Sequence, residues 1–159
     1  MSGTDSAGAG GSMDATQLQA YLVAQFPQAF GPGRPHRVVR VDAAGAGLVL
    51  EAGTDHLRPG DTVSGPAMMG LADIAAYAVI LSAIGPVPLA VTTSFSINFL
   101  RKPPLGLLVA DARLMKLGKR LAVCEVGLRA PHGGEGDPFA VTGAEELCAH
   151  AVATYSIPA

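Results

Sequence analysis

One charged side chain stands alone in the most apolar part of the chain. Between Thr62 and Leu100 the only Asp, Glu, Lys or Arg is Asp73. It lies within the run 65–84, which is apolar on every side and is therefore predicted to be buried. A buried ionised carboxylate is costly unless another group pairs with it or the protein uses it. Asp73 is thus either held by structural hydrogen bonds or part of a functional site, and we favour the functional site.

The run around Asp73 has clear helix boundaries. Gly65-Pro66 is a start signal, because proline in the first turn loses only an N–H that would be unpaired anyway. Gly85-Pro86 is the stop signal. These breaks, with Asp73 inside the helix, favour a buried core helix over a membrane span, for which about 20 uninterrupted apolar residues are expected.

Composition limits the class of protein. A chain of 159 residues with 49% hydrophobic and 15% charged residues predicts one core-rich domain, or a domain that buries more surface in an oligomer. A net charge of −2 gives no reason to expect nucleic acid or an anionic membrane as partner. Cys124 and Cys148 have no metal-ligand spacing and are interpreted as buried free thiols. With no basic segment opening the chain, these features favour a cytoplasmic protein.

The remaining elements predict an α+β domain. Residues 1–13 are interpreted as a disordered tail and 14–159 as a single domain that opens with a short helix, capped by Asp14 or Thr16 and ending near Pro27. Strands are predicted over 36–42, 48–52, 89–100, 107–117, 121–128 and 146–157, with a glycine-rich excursion over 131–138. About six strands and one long apolar helix predict a curved antiparallel sheet wrapped around that helix. We expect a second copy of the chain to cover the far side of the helix, which predicts a dimer or a dimer of dimers.

Four stretches in this order resemble a known family. They are the Gly65-to-Asp73 spacing, TTSFSINFLRKP at 92–103, GKRLAV at 118–123 and AHAVATYS at 149–156. Together they resemble the hotdog-fold acyl-CoA thioesterases of the phenylacetic-acid-degradation (PaaI-like) type, over roughly residues 37–158. The resemblance implies a catalytic acid at Asp73, a backbone N–H at Gly65 and a hydroxyl at Thr92. It also implies an active site at a dimer interface, with the helix from one subunit and the strand from the other.

Three positions depart from the family pattern. Ser64 stands where the family has His, Pro66 where it has a second Gly, and Arg58 where it usually has Asn. The acid and one amide donor are kept, whereas the groups that orient the substrate are changed. Because Pro66 has no N–H, Ala67 N–H is the candidate for a second donor.

The chemistry that the resemblance implies is thioester hydrolysis. Asp73 would act as general base or nucleophile, and Gly65 N–H at the helix N-terminus would stabilise the developing oxyanion. Met69 is predicted to lie in the core or to line the acyl pocket. Arg101, Lys102 and Lys119 lie at strand ends, where they would meet a coenzyme A phosphate or remain solvated charges.

Two other functions stay open. A hotdog hydratase or dehydratase would use His56 together with Asp73, whereas a non-catalytic acyl-CoA-binding protein would use the same pocket without turnover. The polar series Ser94, Ser96 and Asn98 is interpreted as the outer face of a strand. No cofactor is expected beyond the coenzyme A of the substrate, and no metal site, because His, Cys and Asp lack ligand spacing.

Overall fold

The structure, a computed structural model, describes residues 11–131 and 147–159. Its helices are α1 (Ala15–Gln25), α2 (Pro27–Phe30) and α3 (Gly65–Ile84). Its strands are β1 (His36–Asp42), β2 (Gly45–Ala52), β3 (Leu57–Arg58), β4 (Thr62–Val63), β5 (Val91–Phe99), β6 (Gly106–Leu117), β7 (Leu121–Arg129) and β8 (Leu147–Ser156). The predicted tail over 1–13 and the glycine-rich excursion over 131–138 fall almost wholly outside the described residues.

The first helix begins at a capping box. The Asp14 carboxylate accepts a hydrogen bond from Gln17 N–H at 2.8 Å, and the Gln17 side chain accepts one from Asp14 N–H at 3.0 Å. Two backbone donors that would otherwise be unpaired at the helix start are thereby satisfied. Asp14, rather than Thr16, is therefore the cap.

Six strands form one antiparallel sheet in the order β1-β2-β6-β7-β8-β5. The long helix α3 packs on this sheet, mainly against β2, β6 and β7. Strand ends differ from the predicted ones by a few residues, and the segment before α3, for which no strand is predicted above, contains the small pair β3–β4. The predicted α+β hotdog arrangement, with a sheet wrapped around one helix, is confirmed.

Helix α3 is the centre of the core. Its buried residues are Met68, Leu71, Ala72, Ala75, Ala76, Ala78, Val79, Ile80, Leu81 and Ser82. Although α3 has the length and composition of a membrane span, it is the sheet-covered core helix. Helix α1 contributes the fully buried Leu18 and Leu22 to the same core. Helix α1 also packs against α3. Met69 is the one large apolar side chain of α3 that is exposed.

The two edges of the sheet differ. The β1 edge is partly covered by α1, because Val38 N–H donates to the side-chain oxygen of Gln19 at 2.8 Å. Strand β5 forms the other edge, and its ends carry exposed apolar residues, with Val91 57% and Phe99 49% exposed. A long uncovered edge strand presents unpaired backbone groups that can pair with another strand.

Candidate active site

The Asp73 carboxylate is held by the neighbouring strand. Asp73 is half-buried on α3, and the Thr92 hydroxyl on β5 donates a hydrogen bond to its Oδ1 at 2.7 Å. Hydrogen bonds to an ionised acceptor are about twice as strong as neutral ones. The predicted pairing of acid and hydroxyl thus occurs within a single chain, so the division of helix and strand between two subunits was wrong for this contact.

A β-bulge turns Thr92 toward the helix. In the pairing of β5 with β8, Thr92 faces Tyr155 and Ser94 faces Thr154, which leaves Thr93 as an extra residue without a partner. The extra residue reverses the inward-outward alternation of the strand. As a result Thr92 lies on the same side as Phe95, whereas the polar series from Ser94 onward faces outward as predicted.

Tyr155, which was not predicted from the sequence, is the second residue that contacts the Asp73 carboxylate. Its hydroxyl lies 2.7 Å from Asp73 Oδ1 and 2.9 Å from the Asp73 backbone carbonyl oxygen. The side chain is 3% exposed, its ring stacks on that of Tyr77 with centroids 6.2 Å apart, and burial raises its pKa well above the usual value. The alternation of β8, in which Ala151 and Ala153 face the core, could have placed Tyr155 inward as well.

Asp73, Thr92 and Tyr155 line a cavity of about 300 Å³. Its walls are mostly apolar and are lined by Gln25, Phe26, Asp73, Ile74, Tyr77, Pro88, Ala90, Val91, Thr92 and Tyr155. The end of α1 and the segment before β5 therefore line the same cavity as the carboxylate. An apolar pocket with a few convergent polar groups is typical of a ligand site.

A second cavity, of about 240 Å³, lies at the N-terminus of α3. It is lined by Arg58, Val63, Gly65, Met68, Phe99, Arg101, Lys102 and Pro103. Gly65 N–H belongs to the first turn, where amides have no partner inside the helix. Three of the predicted cationic and donor groups, Arg58, Arg101 and Lys102, are thus brought together around Gly65.

Ser64 and Ala67 form the N-terminal cap of α3, a role that was not predicted from the sequence. Ser64 is the N-cap of α3, and its hydroxyl oxygen accepts a hydrogen bond from Ala67 N–H at 3.2 Å. The prediction of Ala67 N–H as a second oxyanion donor is therefore wrong, because the cap already occupies it. The hydroxyl oxygen of Ser64 thus satisfies a backbone N–H in the first turn of α3.

Gly65 and Asp73 cannot act on one carbonyl group within one chain. They are eight residues apart on α3, which corresponds to about 12 Å along the helix axis. The two cavities likewise lie at opposite ends of β5, which by its nine residues spans about 30 Å. Within a single chain, the predicted catalytic acid Asp73 and the predicted oxyanion donor Gly65 N–H are therefore too far apart to act together.

Other predicted residues lie outside both cavities. Met69 is 41% exposed and Pro66 is exposed, and neither lines the two cavities described above. Lys119 lies in the turn between β6 and β7, away from Arg101 and Lys102 and at the sheet end where Tyr155 and Thr92 are found. The Nδ1 atom of His56 accepts a hydrogen bond from Gly53 N–H at 3.0 Å, and His56 does not line the cavity that contains Asp73.

The described residues contain no group of three His, Cys, Asp or Glu side chains that could hold a metal ion. Cys124 and Cys148 are buried, as predicted. Burial raises the pKa of the Cys124 thiol to about 12.

Comparisons with known proteins identify the family of this chain. A family model described as the thioesterase superfamily matches residues 60–136. A candidate thioesterase from Silicibacter sp. TM1040 is 38% identical, with 92% of this chain and 93% of that chain covered and a TM-score of 0.74. Zebrafish thioesterase superfamily member 2 is 17% identical over 92% of this chain and 100% of that one, with a TM-score of 0.72.

The PaaI protein of the Escherichia coli phenylacetic acid degradation operon is also similar. It is 18% identical over 91% of this chain and 94% of that one, with a TM-score of 0.70. No curated protein sequence matches the chain. The extent of the Silicibacter match, together with the family model, establishes that this chain belongs to the thioesterase superfamily, whose PaaI-like hotdog members it resembles, and that it is a hydrolase acting on thioester bonds.

Proposed function

We propose that the protein is an acyl-CoA thioesterase in which Asp73 is the catalytic carboxylate. The observation that carries the proposal is the hydrogen bond of 2.7 Å from Thr92 to Asp73 at the wall of a mostly apolar cavity. Such a cavity suits an acyl chain, and the adjacent carboxylate suits the polar thioester group.

Two forms of the reaction are compatible with this placement. In the first, Asp73 takes a proton from water while the water oxygen bonds to the carbonyl carbon; the C–S bond then breaks and the coenzyme A thiolate takes up a proton. In the second, Asp73 itself attacks the carbonyl carbon and expels the thiolate, and water then hydrolyses the resulting anhydride. In both, Gly65 N–H stabilises the negative charge on the carbonyl oxygen.

The separation of Gly65 from Asp73 leads us to propose a homodimer joined along β5. If two β5 strands pair antiparallel around a two-fold axis, the Thr92 end of one strand lies beside the Phe99 end of its partner. This arrangement sets the Asp73 cavity of one subunit next to the Gly65 cavity of the other. The exposed apolar residues at both ends of β5 are the surface that the pairing would bury.

The coenzyme A moiety would reach the cationic side of the composite site. Arg58, Arg101 and Lys102 surround the Gly65 cavity, and guanidinium and ammonium groups bind phosphate well. Met69, exposed on α3, would contact the substrate only across this interface. Coenzyme A enters as part of the substrate, no separate cofactor is required, and we place the enzyme in the cytoplasm.

The activity is tested by thiol release from acyl-CoA thioesters of different chain length and with aromatic acyl groups. Hydrolysis of at least one at saturable rates is expected. Binding of acyl-CoA without thiol release would favour a non-catalytic binding protein, and hydration of an enoyl-CoA that depends on His56 would favour a hydratase.

The shared site is tested by complementation. Asp73→Asn and Gly65→Val homodimers are both expected to be inactive, the second because a larger side chain meets the Phe99 ring, which lies 3.4 Å from an added Cβ. Random mixing makes half of the dimers heterodimers, each with one intact site of two, so the mixture should recover about a quarter of the wild-type activity. No recovery after co-expression, with heterodimers present, would contradict a site shared between subunits.

A further inference from the structure

We propose that Tyr155 is a positioning residue that fixes which oxygen of Asp73 reacts. The inference rests on the proposed role of Asp73 and adds a residue from the last strand to that site. It begins from the distribution of hydrogen bonds on the carboxylate. Thr92 and Tyr155 both reach Oδ1, at 2.7 Å each, and among the described residues none donates to Oδ2.

Two donors on one oxygen restrict rotation of the carboxylate. The hydroxyl of Tyr155 also lies 2.9 Å from the backbone carbonyl oxygen of Asp73, so it contacts the side chain and the helix backbone of the same residue. Its single proton is shared between these two acceptors. Oδ1 is thereby held on the strand side, and Oδ2 is left as the oxygen available to water or to the thioester carbon.

Tyr155 is well suited to this task because its own position is fixed. It is paired in the sheet between Ala122 on β7 and Thr92 on β5, and its ring stacks on that of Tyr77. It is 3% exposed, and burial keeps the hydroxyl protonated over the whole working range of pH. A side chain held by packing orients a catalytic group better than one on a mobile loop.

The test is Tyr155→Phe, with Tyr21→Phe as control. Tyr21, on α1, is a partly buried tyrosine that lines neither of the two cavities described above. We expect Tyr155→Phe to lower kcat by about 10- to 100-fold, the loss that one hydrogen bond to a charged group predicts, with KM within about two-fold. Tyr21→Phe should keep kcat within about three-fold.

A second comparison separates positioning from a general effect on packing. If Tyr155 acts through Asp73, the Tyr155→Phe change should lower the residual thiol release of Asp73→Asn by less than two-fold. A similar loss of kcat in both backgrounds, an equal loss in Tyr21→Phe, or unchanged kcat in Tyr155→Phe would each overturn the inference. If Asp73→Asn keeps wild-type activity, the proposed role of Asp73 fails instead, which is a distinguishable result.

A measurement that leaves Tyr155 intact covers the case in which Tyr155→Phe does not fold. The chain has three tyrosines, so Tyr155 is the only tyrosine left in the Tyr21→Phe/Tyr77→Phe protein. We expect its hydroxyl proton to exchange slowly in NMR spectra and its resonance to move in the Asp73→Asn background. Exchange as fast as that of an exposed tyrosine, or no shift with Asp73→Asn, would overturn the inference.

Discussion

The hydrogen bond from Thr92 to Asp73 gives a prediction with a matched control in the adjacent residue. Thr92→Val removes the hydroxyl and leaves a side chain of similar shape. Thr93→Val removes the hydroxyl of the bulged neighbour, which is exposed and donates to the Thr154 carbonyl oxygen at 3.3 Å rather than to the carboxylate. Both changes alter β5 in the same chemical way.

The size of the effect follows from the contact. A hydrogen bond to a charged group contributes about 1.5–3 kcal/mol, and each 1.36 kcal/mol in activation free energy is about tenfold in rate. If the bond to Asp73 is needed in the transition state, Thr92→Val should lower kcat/KM by about 10- to 150-fold. Because Tyr155 still holds the same oxygen, the lower half of this range is the expected result.

The assay is thiol release from the best acyl-CoA substrate, at a temperature at which circular dichroism shows both variants folded. Thr93→Val should stay within about two-fold of wild type, and Thr92→Ser, which keeps the hydroxyl, should recover most of the activity. Equal activities of Thr92→Val and Thr93→Val would refute the reasoning that the bulge serves to bring Thr92 to Asp73.

Three further predictions concern stability. Ser64→Ala should lower the free energy of unfolding by about 1 kcal/mol in urea titrations, because the N-cap of α3 is lost; an unchanged midpoint would contradict the cap. Gly45→Ala should lower the free energy of unfolding by about 2 kcal/mol or more, since the φ of Gly45 is +147° and an added Cβ would lie 2.0 Å from a carbonyl oxygen of β6. Gly53→Ala is the control and should be nearly neutral, because a Cβ added there meets nothing within 4 Å. Burial raises the pKa of the Cys124 thiol from 9.0 to about 12 in the folded protein. Between pH 9 and pH 12 the unfolded state therefore binds fewer protons than the folded state. The free energy of unfolding should fall by up to about 1.4 kcal/mol per pH unit as the pH rises through this range. Cys124→Ala should flatten this slope, and an equal slope in both proteins would contradict it.

Periodicity and breakers were sufficient to predict the main elements. The apolar run bounded by Gly65-Pro66 and Gly85-Pro86 predicted α3 at both ends, because these residues mark helix boundaries by their backbone chemistry. The strands predicted over 107–117 and 121–128 correspond to β6 and β7. The curved antiparallel sheet wrapped around one helix then followed from one long apolar helix and about six strands, and the family resemblance implied the hotdog fold.

The site was only partly predictable, for reasons of packing. Asp73 was identified because it is a lone charge in an apolar helix, and this signal is local. Thr92 was identified only through the family resemblance, since a bulge of one residue cannot be read from alternation alone. Tyr155 was missed because its partner is 82 residues away in the chain. Ala67 was misassigned because the capping role of Ser64 was not considered.

The most direct test of the central claim is thiol release by Asp73→Asn beside wild type. The amide keeps an oxygen that accepts from Thr92 and Tyr155, so the fold and the local hydrogen bonds should be preserved. Asp55→Asn, at an exposed position in the turn before β3, serves as control. We expect Asp73→Asn to lose about 100- to 10,000-fold in kcat while circular dichroism and substrate binding stay unchanged, and Asp55→Asn to match wild type. Wild-type turnover in folded Asp73→Asn would contradict the assignment of Asp73 as the catalytic carboxylate.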